Sequence, residues 1–111
     1  MEVLAGTEVY DPTTDEFSPA GALQVARGFH SAIVLTDGRV LVVGGITTNA
    51  RGAGIPMTEL FDPRTNLWSV GPTLDPAWSG VTATLLGNGK VLLFGGETAL
   101  GFPEPTVLLY E

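Results

Sequence analysis

The side chains that could do chemistry are few in this chain of 111 residues. It has one histidine, His30, and no cysteine, which excludes disulfides, thiolate nucleophiles and cysteine-ligated metals. A zinc site or a Ser-His-Asp triad would need partners for His30 that no local spacing supplies. Valine stands at the equivalent position 81, so His30 reads as a residue at the start of a strand. The 12 acidic residues are scattered. Asp11 and Asp62 precede prolines, Asp37 precedes a glycine, and Asp15-Glu16 reads as a solvated turn. Asp75 and Glu97 could converge as a hydrolytic carboxylate pair, but a surface role accounts for each more simply. Around Asp37 and Asn88 there is neither EF-hand nor phosphate-loop spacing. No catalytic group, cofactor or metal is therefore expected.

Four other side chains suit recognition better than catalysis. Arg27 and Arg51 can donate paired hydrogen bonds, and Trp78 and Phe102 offer flat apolar surface. The plainer reading packs Arg27 along a strand edge and lays Trp78 over its neighbours. The net charge of −7, with five scattered basic residues, argues against a nucleic-acid or anionic-membrane partner. No apolar run approaches the ~20 residues of a membrane span. The N-terminal residues lack a signal-peptide pattern. These features suggest a soluble chain and leave its compartment open.

The elements that must position these groups are strands. The chain is 44% apolar, and its 15 glycines and eight prolines suit short strands joined by many turns. The stretch Gly38-Arg39-Val40-Leu41-Val42-Val43-Gly44-Gly45 recurs as Gly89-Lys90-Val91-Leu92-Leu93-Phe94-Gly95-Gly96, 51 positions later. Each copy reads as a buried strand stopped by a glycine pair, which permits either φ > 0 or close approach of a neighbouring strand. The stretch from Glu8 to Ser18 matches that from Glu59 to Ser69 without a gap at the same offset. Residues 107–111 begin a further copy.

One unit thus holds four strand candidates. An alternating run at 30–35 or 81–86 leads into the apolar strand through a tight turn, Thr36-Asp37-Gly38 or Gly87-Asn88-Gly89, whose Asp-Gly or Asn-Gly pair can adopt φ > 0 at both positions. After a variable loop, a third strand near 57–61 or 106–110 ends at an aromatic residue, followed in the interior copies by an Asp-Pro Asx-turn. The fourth strand carries Phe17 or Trp68, set to pack on the third strand's aromatic, and ends at Pro19 or Pro72.

Four antiparallel strands in about 50 residues is the pattern of a β-propeller blade. In that arrangement the chain resembles kelch repeats. The resemblance rests on Gly44, Gly45, Phe61 and Trp68, on Tyr10 and Phe17 in the first unit, and on Gly95, Gly96 and Tyr110 in the last. Arg27-Gly28-Phe29-His30 looks like the Arg-x-x-His that opens many kelch blades. Phe stands for Tyr at 61 and for Trp at 17, and Trp78 and Val81 stand where Arg27 and His30 stand one unit earlier.

With strands labelled a to d from the channel outward, the chain reads c,d, then a,b,c,d, then a,b,c. That is an all-β, incomplete kelch-type propeller segment: a partial blade at 1–27, a complete blade at 28–78 and a partial blade at 79–111. A closed propeller needs at least about four blades. The chain is therefore expected to be a piece of a longer propeller, with self-assembly of three chains and a small open stack as the alternatives. Open faces and edges invite association. The resemblance implies binding through the b–c loops (46–56 and 97–105) and the d–a loops (21–29 and 73–80), to a protein or a glycan. It also implies an alternative: a non-catalytic portion of a larger enzyme resembling galactose oxidase or the kelch-type sialic acid epimerases. The Tyr-Cys crosslink and copper of the former cannot be housed in a chain without cysteine.

Overall fold

The computed structural model describes residues 3–47, 55–73, 78–95, 97–98 and 108–110. Its strands are β1 (Leu4–Asp11), β2 (Glu16–Arg27), β3 (Ser31–Val34), β4 (Val40–Val43), β5 (Met57–Asp62) and β6 (Leu67–Thr73). They continue as β7 (Trp78–Ser79), β8 (Thr82–Leu85), β9 (Val91–Phe94), β10 (Glu97–Thr98) and β11 (Leu108–Tyr110). All pairings among them are antiparallel. One sheet is a complete blade in the order β3-β4-β5-β6. Before it stands the c,d pair β1-β2, and after it the a,b,c sheet β8-β9-β11. Among the described residues the sheets do not close into a propeller.

The apolar b strands sit at the centre of their sheets, β4 nearly buried throughout and β9 through Val91 and Leu93. Leu41, Val43 and Leu60 of the complete blade and Val81, Val91 and Leu93 of the next form one buried cluster with Leu35. Ser31 Oγ donates to the Val81 carbonyl across the same junction.

The a–b turns lie at Thr36-Asp37-Gly38 and Gly87-Asn88-Gly89 as expected, but positive φ is confined to one residue of each, Gly38 at 92° and Gly89 at 87°. Leu35 N donates to the Arg39 carbonyl at 2.8 Å and Gly38 N to the Leu35 carbonyl at 3.0 Å. This is a three-residue loop closed by a left-handed glycine, in which Asp37 and Asn88 stay right-handed. Their side chains instead accept from the amides of Arg39 and Lys90, each at 3.0 Å.

The c–d turns follow expectation. Asp11 Oδ1 accepts from Thr13 N, and Asp62 Oδ1 from Arg64 N, both at 2.9 Å. Across each hairpin the aromatics pack, Tyr10 on Phe17 at 5.0 Å and Phe61 on Trp68 at 5.2 Å between ring centroids.

The outer strands do not end at their prolines. β2 runs through Pro19 to Arg27, and β6 through Pro72 to Thr73. An outermost strand has one side without a ladder, so the missing amide of proline costs nothing when it faces that way. Most of the expected 21–29 loop is therefore strand.

Candidate functional site

The four recognition residues have different fates. Arg27 is inside the fold, with its side chain and that of Glu59 at 0% and 1% exposure. Its Nη2 donates to Glu59 Oε2 at 2.7 Å and to the Met57 carbonyl at 3.1 Å, and its Nη1 to the Gly44 carbonyl at 3.0 Å. Glu59 in turn accepts from Gln24 N at 2.7 Å and Val25 N at 3.3 Å. One ion pair thus ties the outer strand of the first blade to the c strand and the glycine pair of the second. Its donors are spent on the fold, which makes Arg27 a positioning residue. Arg51 and Phe102, with Gly96 of the motif and Asp75 of the carboxylate pair, lie outside the described residues. Trp78 is placed by its backbone at the start of β7, and Tyr110 by its backbone at the end of β11.

The glycine pair serves both roles that its sequence allowed. Gly44 and Gly45 have φ of 72° and 105°. A Cβ on Gly45 would lie 2.6 Å from the Gly28 carbonyl oxygen. That approach lets Gly28 and Ile46 exchange hydrogen bonds of 3.0 and 2.9 Å. In the next unit the same meeting of d–a and b–c segments becomes a short ladder, Ser79 opposite Glu97 and Trp78 opposite Thr98. Each unit therefore brings its two loop classes together at the same end of its sheet.

At that end stands Phe29, which sequence reasoning did not single out. It is 61% exposed and has φ of 56°, unusual for an aromatic residue. Its carbonyl accepts from Gly80 N at 3.0 Å, and Gly80, its counterpart one unit on, has φ of 70°. The glycine at 80 was the available signal that position 29 requires a left-handed backbone.

His30 is exposed, although partial desolvation, and then the Arg27 charge, lowers its pKa. Among the described residues no cluster of His, Asp and Glu could hold a metal ion, and no helix is long and apolar enough to cross a membrane. A cavity of about 220 Å³ between the first two blades has Thr7, Val9, Ala20, Val40, Phe61 and Trp68 among its walls. It falls below the usual size of a ligand pocket, about 300 Å³ or more.

A family model described as the Kelch motif matches residues 27–74, from the buried arginine to the end of the complete blade. Residues 27–74 are a kelch repeat. It is 39% identical over 62 residues to Kelch-like protein 15 of Danio rerio, covering 56% of this chain and 10% of that protein. To galactose oxidase of Gibberella zeae it is 33% identical over 63 residues, covering 57% of this chain and 9% of the oxidase. To alpha-scruin of Limulus polyphemus it is 31% identical over 99 residues, covering 86% of this chain and 11% of the scruin. The chain spans about a tenth of the length of these relatives.

Proposed function

We propose that these kelch repeats form part of a binding scaffold, with the paired d–a and b–c segments as the recognition face. The observation that carries this is the joining of the two loop classes, through Gly28 with Ile46 and through β7 with β10. Rigid strands then hold variable segments in fixed relation, the arrangement in which loops carry recognition. Phe29 supplies an exposed aromatic there, and Trp78, Arg51 and Phe102 belong to the same segments by sequence. The partner is a protein, since mixed aromatic and arginine side chains are what anchor protein interfaces. A pull-down with the parent chain beside Phe29→Gly, Trp78→Ala and Arg51→Ala variants tests the face. Reduced capture by the variants is expected, and capture equal to the parent rejects it. A glycan array run in parallel distinguishes a carbohydrate ligand.

The similarity to galactose oxidase supports a second reading, in which this segment belongs to a larger enzyme with its catalytic residues on other blades. No reaction is assigned to residues 1–111 in either case. Further repeats bearing His, Tyr and Cys clusters in the parent reading frame would favour the enzyme; a bare run of repeats would favour the scaffold.

A further inference from the structure

The two a–b turns are one structure built on different residues. In the first, Leu35 N donates to the Arg39 carbonyl at 2.8 Å and Gly38 N to the Leu35 carbonyl at 3.0 Å. In the second, Leu86 N donates to the Lys90 carbonyl at 2.8 Å and Gly89 N to the Leu86 carbonyl at 3.0 Å. The closing glycines have φ of 92° and 87°. The residue before each glycine accepts through Oδ1 from the amide two positions on, at 3.0 Å in both. What differs is that residue, Asp37 in the first turn and Asn88 in the second. Asp37 also takes Arg39 Nε on its second oxygen at 2.8 Å, which the single oxygen of an asparagine amide does not reproduce.

The pair Asn88-Gly89 has a chemistry of its own. The backbone nitrogen that follows an asparagine can attack the side-chain Cγ, and glycine, with no Cβ, leaves that approach uncrowded. Asn88 is exposed, and the space beside the turn is open, because a Cβ on Gly87 would meet nothing within 4 Å. Asn66, the other described asparagine, is followed by Leu67, whose side chain crowds the same approach.

We infer that Asn88 is a deamidation site whose product is the Asp37 turn repeated one unit on. Gly89 N loses its proton and bonds to Cγ of Asn88. The bond from Cγ to the side-chain nitrogen breaks, and that nitrogen leaves as ammonia. Water then opens the succinimide ring so formed. Addition at Cγ restores the ordinary backbone with an aspartate at 88, whereas addition at the backbone carbonyl leaves a chain one methylene longer. One water is consumed and one ammonia released, with no change of oxidation state.

The fold sets both the rate and the outcome. Gly89 N is held on the Leu86 carbonyl and Asn88 Oδ1 on Lys90 N, so attack waits for the turn to open. The aspartate product re-forms these bonds as Asp37 does, and it presents Lys90 with the second oxygen that Arg39 uses. The lengthened product adds a backbone atom to the loop that Leu86 N and the Lys90 carbonyl close, and loses that match. The added negative charge falls at the end of the sheet away from the paired d–a and b–c segments. The modification therefore does not depend on the recognition face.

Timed incubation of the full chain in mildly alkaline buffer, followed by peptide mass spectrometry, tests this. Asn88 should gain the mass of an amide-to-acid exchange while Asn66 does not. A synthetic peptide of residues 83–93 should react about tenfold faster or more, since no turn holds its reacting atoms, and denaturant should bring the chain to the peptide's rate. The Asn88→Asp chain should melt at a temperature no lower than the parent's. No change at Asn88 in the chain on prolonged incubation would overturn the site. Equal rates in the folded chain and the peptide would overturn its control by the turn, and a lower melting temperature for Asn88→Asp would overturn the assigned product.

Discussion

The ion pair of Arg27 and Glu59 shows how one side chain can hold two blades together. Removing one partner of such a pair strands a buried charge, at a cost of about 3–5 kcal/mol. We expect Arg27→Met to lose that much in denaturant unfolding. The double change Arg27→Met with Glu59→Leu removes both charges but leaves the Gln24 and Val25 amides without their acceptor. It should therefore recover only in part, with a residual cost of about 1–3 kcal/mol. A double variant as stable as the parent would show that those amides find other partners. The glycines make a second contrast. Gly45→Ala meets both a positive φ of 105° and the Gly28 carbonyl, whereas a Cβ on Gly95 meets nothing within 4 Å at φ of 79°. The Gly95→Ala variant should lose about 1–2 kcal/mol, the cost of a left-handed backbone alone. Gly45→Ala should lose clearly more, and equal losses in thermal unfolding would refute the close-approach role.

At the scale of elements, an a–b turn and a d–a segment each contribute to the pH response. The Asp37 carboxyl is held below its ordinary value by the hydrogen bond from the Arg39 amide, which outweighs desolvation, with the Arg39 side chain adding to it. Its folded pKa is lower than its unfolded one, so its contribution is present above the unfolded value and lost as pH falls through the folded value. Asp37→Asn should remove that part of the acid sensitivity while keeping a turn acceptor. The His30 pKa is also lowered, by desolvation first and then by Arg27. Here the unfolded chain takes up its proton first as pH falls below the ordinary value of 6.5. Stability should therefore decline as pH drops through that value, and His30→Gln should flatten the decline in melts between pH 7 and pH 5. An unchanged slope would remove His30 as its cause.

At the scale of the molecule, the described sheets do not close into a disc. The Cα radius of gyration is 14.2 Å, against about 13 Å for a globular chain of this length. One blade is complete, and the first shows Leu4, Tyr10 and Phe17 to solvent, at 66%, 46% and 67% exposure. Bare strand edges and apolar faces of this kind promote association. The chain is expected to gain apparent mass with concentration in sedimentation equilibrium. A single sharp monomer with cooperative unfolding by calorimetry would refute this.

The amino-acid sequence by itself determined the blade. The 51-residue recurrence, the glycine pair, the Asp-Pro turns and the paired aromatics are local signals, and they placed strands β3 to β6 almost where they lie. The errors were of scale. Pro19 and Pro72 looked like strand ends because a short window cannot tell an outermost strand from a central one. Arg27 looked like a ligand-binding side chain because its partner lies 32 positions away on another blade. Glu59 was visible only as a repeat of Glu8, and position 29 only as a counterpart of a glycine. Tertiary structure alone decided that Arg27 is buried against Glu59 and that the d–a and b–c segments pair. The physical reason is that charge burial and close backbone approach depend on which strands meet, and a repeat fixes the strands of each blade without naming its neighbours.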